Sequence, residues 1–325
     1  MRHFSRVLSV GAASCAALLI STAFSQTPAS VSKTAAAAKV TENKVEPLHN
    51  PDGTPDLQGV WSNATNVPLE RPAGTGGGRA RAARPEPGTA ADVHYDLSQF
   101  GLDRAHMKIA EDTRTSLVTT EDGRIPARLP EAQKRAADRA AFQREHQWDG
   151  PETRPLSERC IVWPNEGPPM MSPGYNSNVQ IVQGPGYVAI EQEMIHDVRI
   201  IPTDNRPHAP AEIRQYLGDS TGHWEGDTLV VDTTNFTDKT AFQGSSGSLH
   251  VVERFTRLAD DRLQYEFTVD DPHTWATPWS AKTFWTLAGG QVYEYACQEG
   301  NHGMANNLSG ARAVERRAAE EAAKK

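Results

Sequence analysis

Alternating apolar and polar residues dominate the second half of the chain and predict β-strands. Residues 263–270 (LQYEFTVD) place Leu, Tyr, Phe and Val at every second position, as expected of a strand with one buried face. Similar strand-forming runs occupy 178–183, 187–201, 250–258, 279–287 and 291–297. The segment 222–236 (GHWEGDTLVVDTTNF) joins a Gly-Asp turn to a β-branched run and is predicted to lie in the middle of a meander of strands.

Turn-forming residues separate these strands. The sequences GPG (184–186), ADDR (259–262) and AGG (288–290) predict three hairpins, and weaker strand signals lie at 57–61, 115–119 and 212–217. About eight strands in sequence order, without strand–helix alternation, favour a mainly β fold. We therefore expect an antiparallel meander that forms a closed or nearly closed barrel, lipocalin-like in outline, which also protects the edge strands.

The remaining residues predict a wrapping segment and helices around this barrel. Segment 51–174 lacks strand periodicity except near its start and contains one predicted helix near 130–146, which begins at a proline. Residues 175–309 are the predicted barrel core, and 310–325 a charged C-terminal helix or tail. We expect 51–325 to form one domain.

The N-terminal residues predict export. Arg2, His3 and Arg6 precede an apolar run over 7–24 that ends in small residues, so residues 1–25 have the pattern of a secretory signal peptide cut ahead of Gln26. Residues 26–50 are predicted to be a flexible tether. Since no later stretch approaches the ~20 apolar residues of a spanning helix, the mature protein is expected in the periplasm or outside the cell, without a membrane span.

Cysteine content and charge narrow the expected environment and partners. After cleavage the chain retains Cys160 and Cys297, which predict one disulfide in an oxidising compartment, with two buried free thiols as the alternative. The formal net charge is −8, which does not favour nucleic acid as a partner. A loop at 71–92 carries four arginines, and a solvated surface loop is its simpler interpretation.

Histidine, arginine and glutamate side chains on the predicted strands are the candidates for acid–base chemistry. His196 would lie on an apolar stripe of the 187–201 strand close to Arg199, and His250 would share a strand face with Arg254. In this hypothesis a histidine is the acid or base, a carboxylate such as Glu266 or Glu294 orients it, and an arginine stabilises developing negative charge. The competing interpretation is a buried core histidine and ordinary surface charges.

The sequence contains none of the common motifs that bind an organic cofactor. The chain has no Walker motif, no GxGxxG and no CxxC, and at Gly244–Ser248 a serine stands where a nucleophile elbow needs its closing glycine. No organic cofactor is therefore predicted. A divalent metal held by His196, His250 and a carboxylate stays an alternative, although the usual ligand spacings are missing.

Aromatic residues offer a second interpretation, a non-catalytic ligand-binding barrel. Its apolar pocket would be lined by Trp275, Trp279, Trp285, Tyr293 and Tyr295. The Trp275–Trp279 connection could equally plug one barrel end. In 222–236 alternation puts one face at Leu229, Val231 and Thr233 and the opposite face at Thr228, Val230, Asp232 and Thr234. Asp232 and Glu225 are the residues of this segment that merit testing.

Several strings occur together in a recognisable order. They are PDLQGVW (55–61), DGRIP (122–126), LSERC (156–160), WEGDTLVVDTTNF (224–236) and YEYAC (293–297). With them the chain, over roughly 52–313, resembles a family of exported bacterial proteins of unknown function. This resemblance implies a shared fold and export and assigns no catalytic residue. The expected function is thus an exported lyase, isomerase or hydrolase acting on a small or carbohydrate-like substrate; the alternatives are a ligand-binding barrel and an envelope scaffold. The sequence leaves the oligomeric state open.

Overall fold

A computed structural model describes residues 48–72 and 107–324. These residues belong to one compact unit, Val45–Lys325. The predicted signal peptide, most of the predicted tether and most of the arginine-bearing 71–92 loop lie outside the described residues.

Nine strands in the described part form one antiparallel sheet. Their bounds are β1 Gly59–Ser62, β2 Asn178–Gly184, β3 Tyr187–Gln192, β4 Val198–Pro202, β5 Asp219–Glu225, β6 Thr228–Thr234, β7 His250–Ala259, β8 Arg262–Asp270 and β9 Trp279–Leu287. The spatial order is β4-β3-β2-β1-β9-β8-β7-β6-β5. Consecutive strands therefore pair as in a meander, and β1 closes it against β9. The predicted mainly β, nearly closed antiparallel barrel is confirmed.

The barrel has one seam, between β4 and β5. These two strands lie next to each other but end the order of hydrogen-bonded strands. Side chains bridge them instead: the Arg199 guanidinium donates to Ser220 Oγ over 3.1 Å. At Gly222 a Cβ atom would lie 2.9 Å from Ile201 Cγ2, so the glycine permits the close approach.

Inward-facing side chains fill the barrel. Leu263, Tyr265, Phe267 and Val269 are at most 1% exposed, which confirms the predicted face of this strand. The Tyr265 and Trp285 ring centroids lie 4.9 Å apart. The interior is a packed aromatic core, and burial of its apolar area is the main source of stability.

Two α-helices flank the barrel in the described part. α1 spans Pro130–His146, as predicted, with proline in its first turn. Arg135 fastens α1 to one barrel end by donating to Thr274 Oγ1 over 2.8 Å. α2 spans Gly303–Ala322 and begins before the predicted position 310. No helix in the described part is long and apolar enough to cross a membrane.

Several predicted strands are wrong. The 187–201 run is two strands, because a turn at 193–197 with left-handed Ile195 and His196 (φ 63° and 64°) reverses the chain. Residues 115–119 and 212–217 contribute single bridges, at Val118 and Gln215.

The predicted hairpin between 279–287 and 291–297 is also wrong, since 288–302 contains no strand. The reason lies in the sheet: β9 has β8 on one side. On the other side β1 pairs with Thr286 and Leu287 and residues 117–119 bond to Ser280 and Lys282, so no edge is left for 291–297. β1 itself comes from the segment predicted as a wrap. The 291–297 segment instead reaches the wrap, where the predicted Cys160–Cys297 disulfide is confirmed.

Candidate functional site

The barrel wall separates the predicted catalytic residues. Arg199 points inward and is 6% exposed, whereas His250 and Arg254 occupy the partly exposed positions of β7. Glu266 lies on the outer face of β8, opposite Arg254 on β7 and Lys282 on β9. These residues therefore do not meet in one cavity.

Arg199 belongs to a buried polar cluster that the sequence did not reveal. Its guanidinium donates to both Glu253 oxygens over 3.1 and 2.6 Å. The Tyr265 hydroxyl donates to Glu253 Oε1 over 2.8 Å and accepts from the Met170 amide over 2.7 Å. Burial, followed by the Glu253 charge, raises the Tyr265 pKa well above its ordinary value. Glu253 and Tyr265 are each 0% exposed, so this end of the cluster lies inside the core, while Arg199 borders the cleft at the seam.

His196 lies in the turn between β3 and β4, and its predicted place on an apolar strand stripe is wrong. Its Nε2 lies 3.0 Å from Glu191 Oε1. The buried faces also change across the turn: Ile190 faces inward on β3, but Ile201 is buried on β4 while Ile200 is 57% exposed. The turn shifts the alternation by one position, which puts Arg199 inside.

An array of alternating histidine and aspartate lies on the outer face of β5, β6 and β7. His250 Nε2 lies 2.7 Å from Asp232 Oδ2. Asp232 Oδ1 lies 2.9 Å from His208 Nε2, and His208 Nδ1 lies 2.8 Å from Asp219 Oδ2. Sequence reasoning identified His250 and suggested Asp232, but missed His208 and Asp219. The only available signal was the outward position of Asp232 and His250 on neighbouring strands.

The predicted ligand-binding aromatic residues divide into a core set and a surface set. Trp275 and Trp279 are each 2% exposed and stack edge to face at 5.6 Å, so they close one barrel end; Trp285 lies in the core. Tyr293 is 69% exposed. Glu294 and Tyr295 line a cavity of about 760 Å³ beside the disulfide, together with Tyr175.

A groove of about 690 Å³ lies between α1, the barrel end and the 155–169 segment. The cationic residues that line it are Arg128, Arg135, Arg139 and Lys239. The described residues that line this groove include no Asp or Glu. On a chain of net charge −8, this is a local reversal of charge.

The four cations differ in how much of their hydrogen-bonding capacity the protein uses. Arg135 donates to Thr274 Oγ1 and to carbonyl oxygens of the barrel end, and Arg139 donates to the Asp238 carbonyl over 3.1 Å. Arg128 packs against Gly244, where a Cβ atom would lie 2.9 Å from its guanidinium carbon. Within the described residues the side chains of Arg128 and Lys239 have neither a hydrogen bond nor an ion pair. They are therefore free to bind an anion.

Apolar and aromatic groups form the other walls of the groove. They include Leu156, Val162, Trp163 and Phe242. Phe242 in turn stacks on Trp279 with ring centroids 6.1 Å apart, which fixes this wall to the packed barrel end. The groove residues come from 128–143, 155–169 and 236–244, with Tyr216, and this dispersal along the chain explains why sequence spacing did not reveal them.

The metal alternative finds no support in the geometry. His196 and His250 contact different carboxylates, those of Glu191 and Asp232. Among residues 48–72 and 107–324, no three His, Cys, Asp or Glu side chains are grouped so as to hold a metal ion.

Comparisons with known proteins add little beyond the architecture. No family model and no curated protein matches the chain. Among solved structures, a variant of the fluorescent protein UnaG is similar at 13% sequence identity and a TM-score of 0.22. The similarity covers 42% of this chain and 87% of that one.

Proposed function

We propose that the protein binds a small organic anion in the groove beside α1. The observation that carries this proposal is the concentration of four cations, without a lining carboxylate, on an acidic protein. Concave sites with apolar walls and a few convergent polar groups are the usual form of small-molecule sites. A carboxylate, sulfate or phosphate would pair with Arg128 and Lys239.

The walls specify the rest of the ligand. Trp163 and Phe242 offer aromatic surface close to the cations, so an anion that also bears an aromatic or apolar group would bury both parts. Arginine prefers planar or tetrahedral oxyanions, which it binds through two parallel hydrogen bonds. Phenyl phosphate combines these features and is a suitable probe.

Titration calorimetry with phenyl phosphate tests this proposal. We expect binding to weaken as salt is raised, and Arg128→Gln and Lys239→Gln each to weaken it about ten- to a hundredfold, as loss of a charge-assisted contact does. Lys134→Gln is the control, because Lys134 lies on α1, which forms one wall of the groove, but is paired with Asp138 and does not line the groove. Equal weakening by the control, or affinity unchanged in both groove variants, would contradict the proposal.

We also infer that the protein is exported. The Cys160–Cys297 disulfide suits an oxidising compartment, and the resemblance to exported bacterial proteins agrees with it. Intact mass spectrometry of the protein from a bacterial periplasm should show a chain that begins at Gln26. A chain that keeps residues 1–25 and stays in the cytoplasm would contradict export.

The predicted acid–base activity stays a prediction. Its candidate groups lie in different places: Arg199 is buried, and His250 and Arg254 are on the outer face of β7. Glu294 lines the separate cavity at the disulfide. Binding at the basic groove requires no such convergence, which is why it is the better supported function.

A further inference from the structure

We propose that His208 is a proton-operated clasp that holds the connection between β4 and β5, residues 203–218, against the outside of the barrel. Both of its ring nitrogens lie within hydrogen-bonding distance of carboxylates, Asp219 on β5 at 2.8 Å and Asp232 on β6 at 2.9 Å. The proposal is independent of the anion groove.

The clasp fixes the backbone next to His208. The amide of Ala209 donates to Asp219 Oδ2 over 2.9 Å, so one carboxylate oxygen accepts from both neighbouring residues. On the other side, the Asn235 side-chain amide donates to the Ala209 carbonyl over 2.9 Å. His208 is thus the centre of a small set of contacts that attaches 203–218 to β5 and to the end of β6.

The chemistry of imidazole makes this attachment dependent on protonation. An imidazole donates from both nitrogens only when both carry a proton, whereas the neutral ring has one donor and one acceptor. A neutral His208 therefore keeps one carboxylate contact and turns a lone pair toward the other carboxylate. The contacts are best satisfied with a cationic ring between two anions.

The surrounding charges strengthen this arrangement. The groups that face the array are Asp219 on β5, Asp232 on β6, His250 on β7 and Asp270, opposite His250, on β8. The hydrogen bond that His250 donates to Asp232 raises the pKa of His250 against a smaller opposing effect of burial. Burial acts to raise the pKa of Asp232, but the hydrogen bonds and charges of His250 and His208 outweigh it and lower that pKa.

These directions set the pH window. A lowered aspartate pKa gives stability that is lost as pH falls through it, and a raised histidine pKa gives stability that is lost as pH rises through it. The His250–Asp232 contact is therefore firmest between the two pKa values. At His208 the geometry carries the argument: loss of one ring proton leaves one of its two carboxylates without a donor, and the connection then loosens.

The connection forms part of a cleft that would respond to loosening. A cavity of about 770 Å³ has Arg206, Pro207, Ala209 and 215–218 on one side and β4 on the other. Since β4 and β5 share no backbone hydrogen-bond ladder, release of the connection would widen this cleft along the seam.

Hydrogen exchange of the full chain, corrected for the intrinsic effect of pH on amide exchange, tests the clasp. From about pH 6 to about pH 8 we expect opening of 203–218 to increase about tenfold, as loss of a charged hydrogen bond implies, while β8 stays unchanged. His208→Gln should open at both pH values alike, and Asp219→Asn should behave in the same way. His223→Gln, an exposed histidine on β5 that pairs with Glu225, is the control and should keep the wild-type response.

Two results would overturn the clasp. One is equal opening of 203–218 in the wild type at both pH values. The other is a wild-type pH response in both His208→Gln and Asp219→Asn, each shown to be folded by an unchanged pattern of exchange in β7 and β8.

Discussion

Glu166 lies deep in the segment that covers one end of the barrel and is 1% exposed. Its Oε2 accepts the Trp163 amide over 2.8 Å, while Oε1 has no hydrogen-bond partner within the described residues. Burial raises the pKa of this carboxyl to about 8; the Trp163 amide opposes the rise and the charge of Asp197 adds to it. The native protein therefore holds a neutral acid at this position near neutral pH.

This neutral acid predicts a specific pH dependence of stability. The unfolded chain ionises Glu166 near 4.5, so the folded state binds the extra proton, and stability falls as pH rises toward 8. The loss is at most about 1.4 kcal/mol for each pH unit within that window. Glu166→Gln lacks the ionisation, and its free energy of unfolding should therefore gain on the wild type as pH rises.

Urea denaturation at several pH values between about 5 and 8 measures this difference. A glutamine left without a partner would shift the curve by a constant amount and would not change its slope with pH. Glu131→Gln, a substitution at an exposed position of α1, should give a curve parallel to the wild type. Parallel curves for Glu166→Gln as well would show that Glu166 is not held neutral.

Individual functional residues were the least predictable feature from sequence. Alternation placed His250 and Arg254 together on one face of β7, as observed, but did not show that this face points outward. The partner of Asp232 on the other side, His208, lies in an irregular connection where no periodicity operates. The sequence predicted one uninterrupted strand through His196, so it did not indicate that Arg199 faces the interior. Left-handed backbone at Ile195 and His196 is not foreseen by propensity, which disfavours this conformation for a β-branched residue.

At the level of elements, local signals sufficed where the partner strand was adjacent in sequence. The hairpins at 184–186 and 259–262 are present because turn chemistry and alternation agree there. The failure at 291–297 has a non-local cause: β1 and residues 117–119, both far earlier in the chain, occupy that edge of β9. Alternation shows that a segment could be a strand, but not whether the sheet has an edge left for it.

For the whole molecule, the prediction of a barrel was confirmed. The predicted ligand or substrate cavity inside that barrel is not present in the described residues. The interior is occupied by Trp61, Trp285, Tyr265 and their neighbours, and the best-formed basic groove lies outside, against α1. The amino-acid sequence does not indicate that the interior is filled, because interior packing depends on which large side chains meet across the barrel. The fold thus serves as a rigid support for sites on its surface and at its seam.

The Arg199–Glu253 pair is the interior feature that joins the barrel across its seam. It links β4 to β7, and Arg199 also donates to Ser220 on β5. Burial acts to lower the Arg199 pKa, but the charge and hydrogen bonds of Glu253 outweigh it and raise that pKa. Replacing either one leaves the other buried without its counter-ion, whereas replacing both with apolar residues removes the desolvation cost as well.

We therefore expect Arg199→Met and Glu253→Leu each to destabilise by about 3–5 kcal/mol, and the double variant to lose much less than their sum. Urea denaturation of the four proteins gives the coupling energy. The exposed pair Arg254–Glu225, with a similar 2.7 Å contact, is the matched control and should couple by no more than about 1 kcal/mol. Additive losses at Arg199 and Glu253 would mean that the seam is held by packing alone.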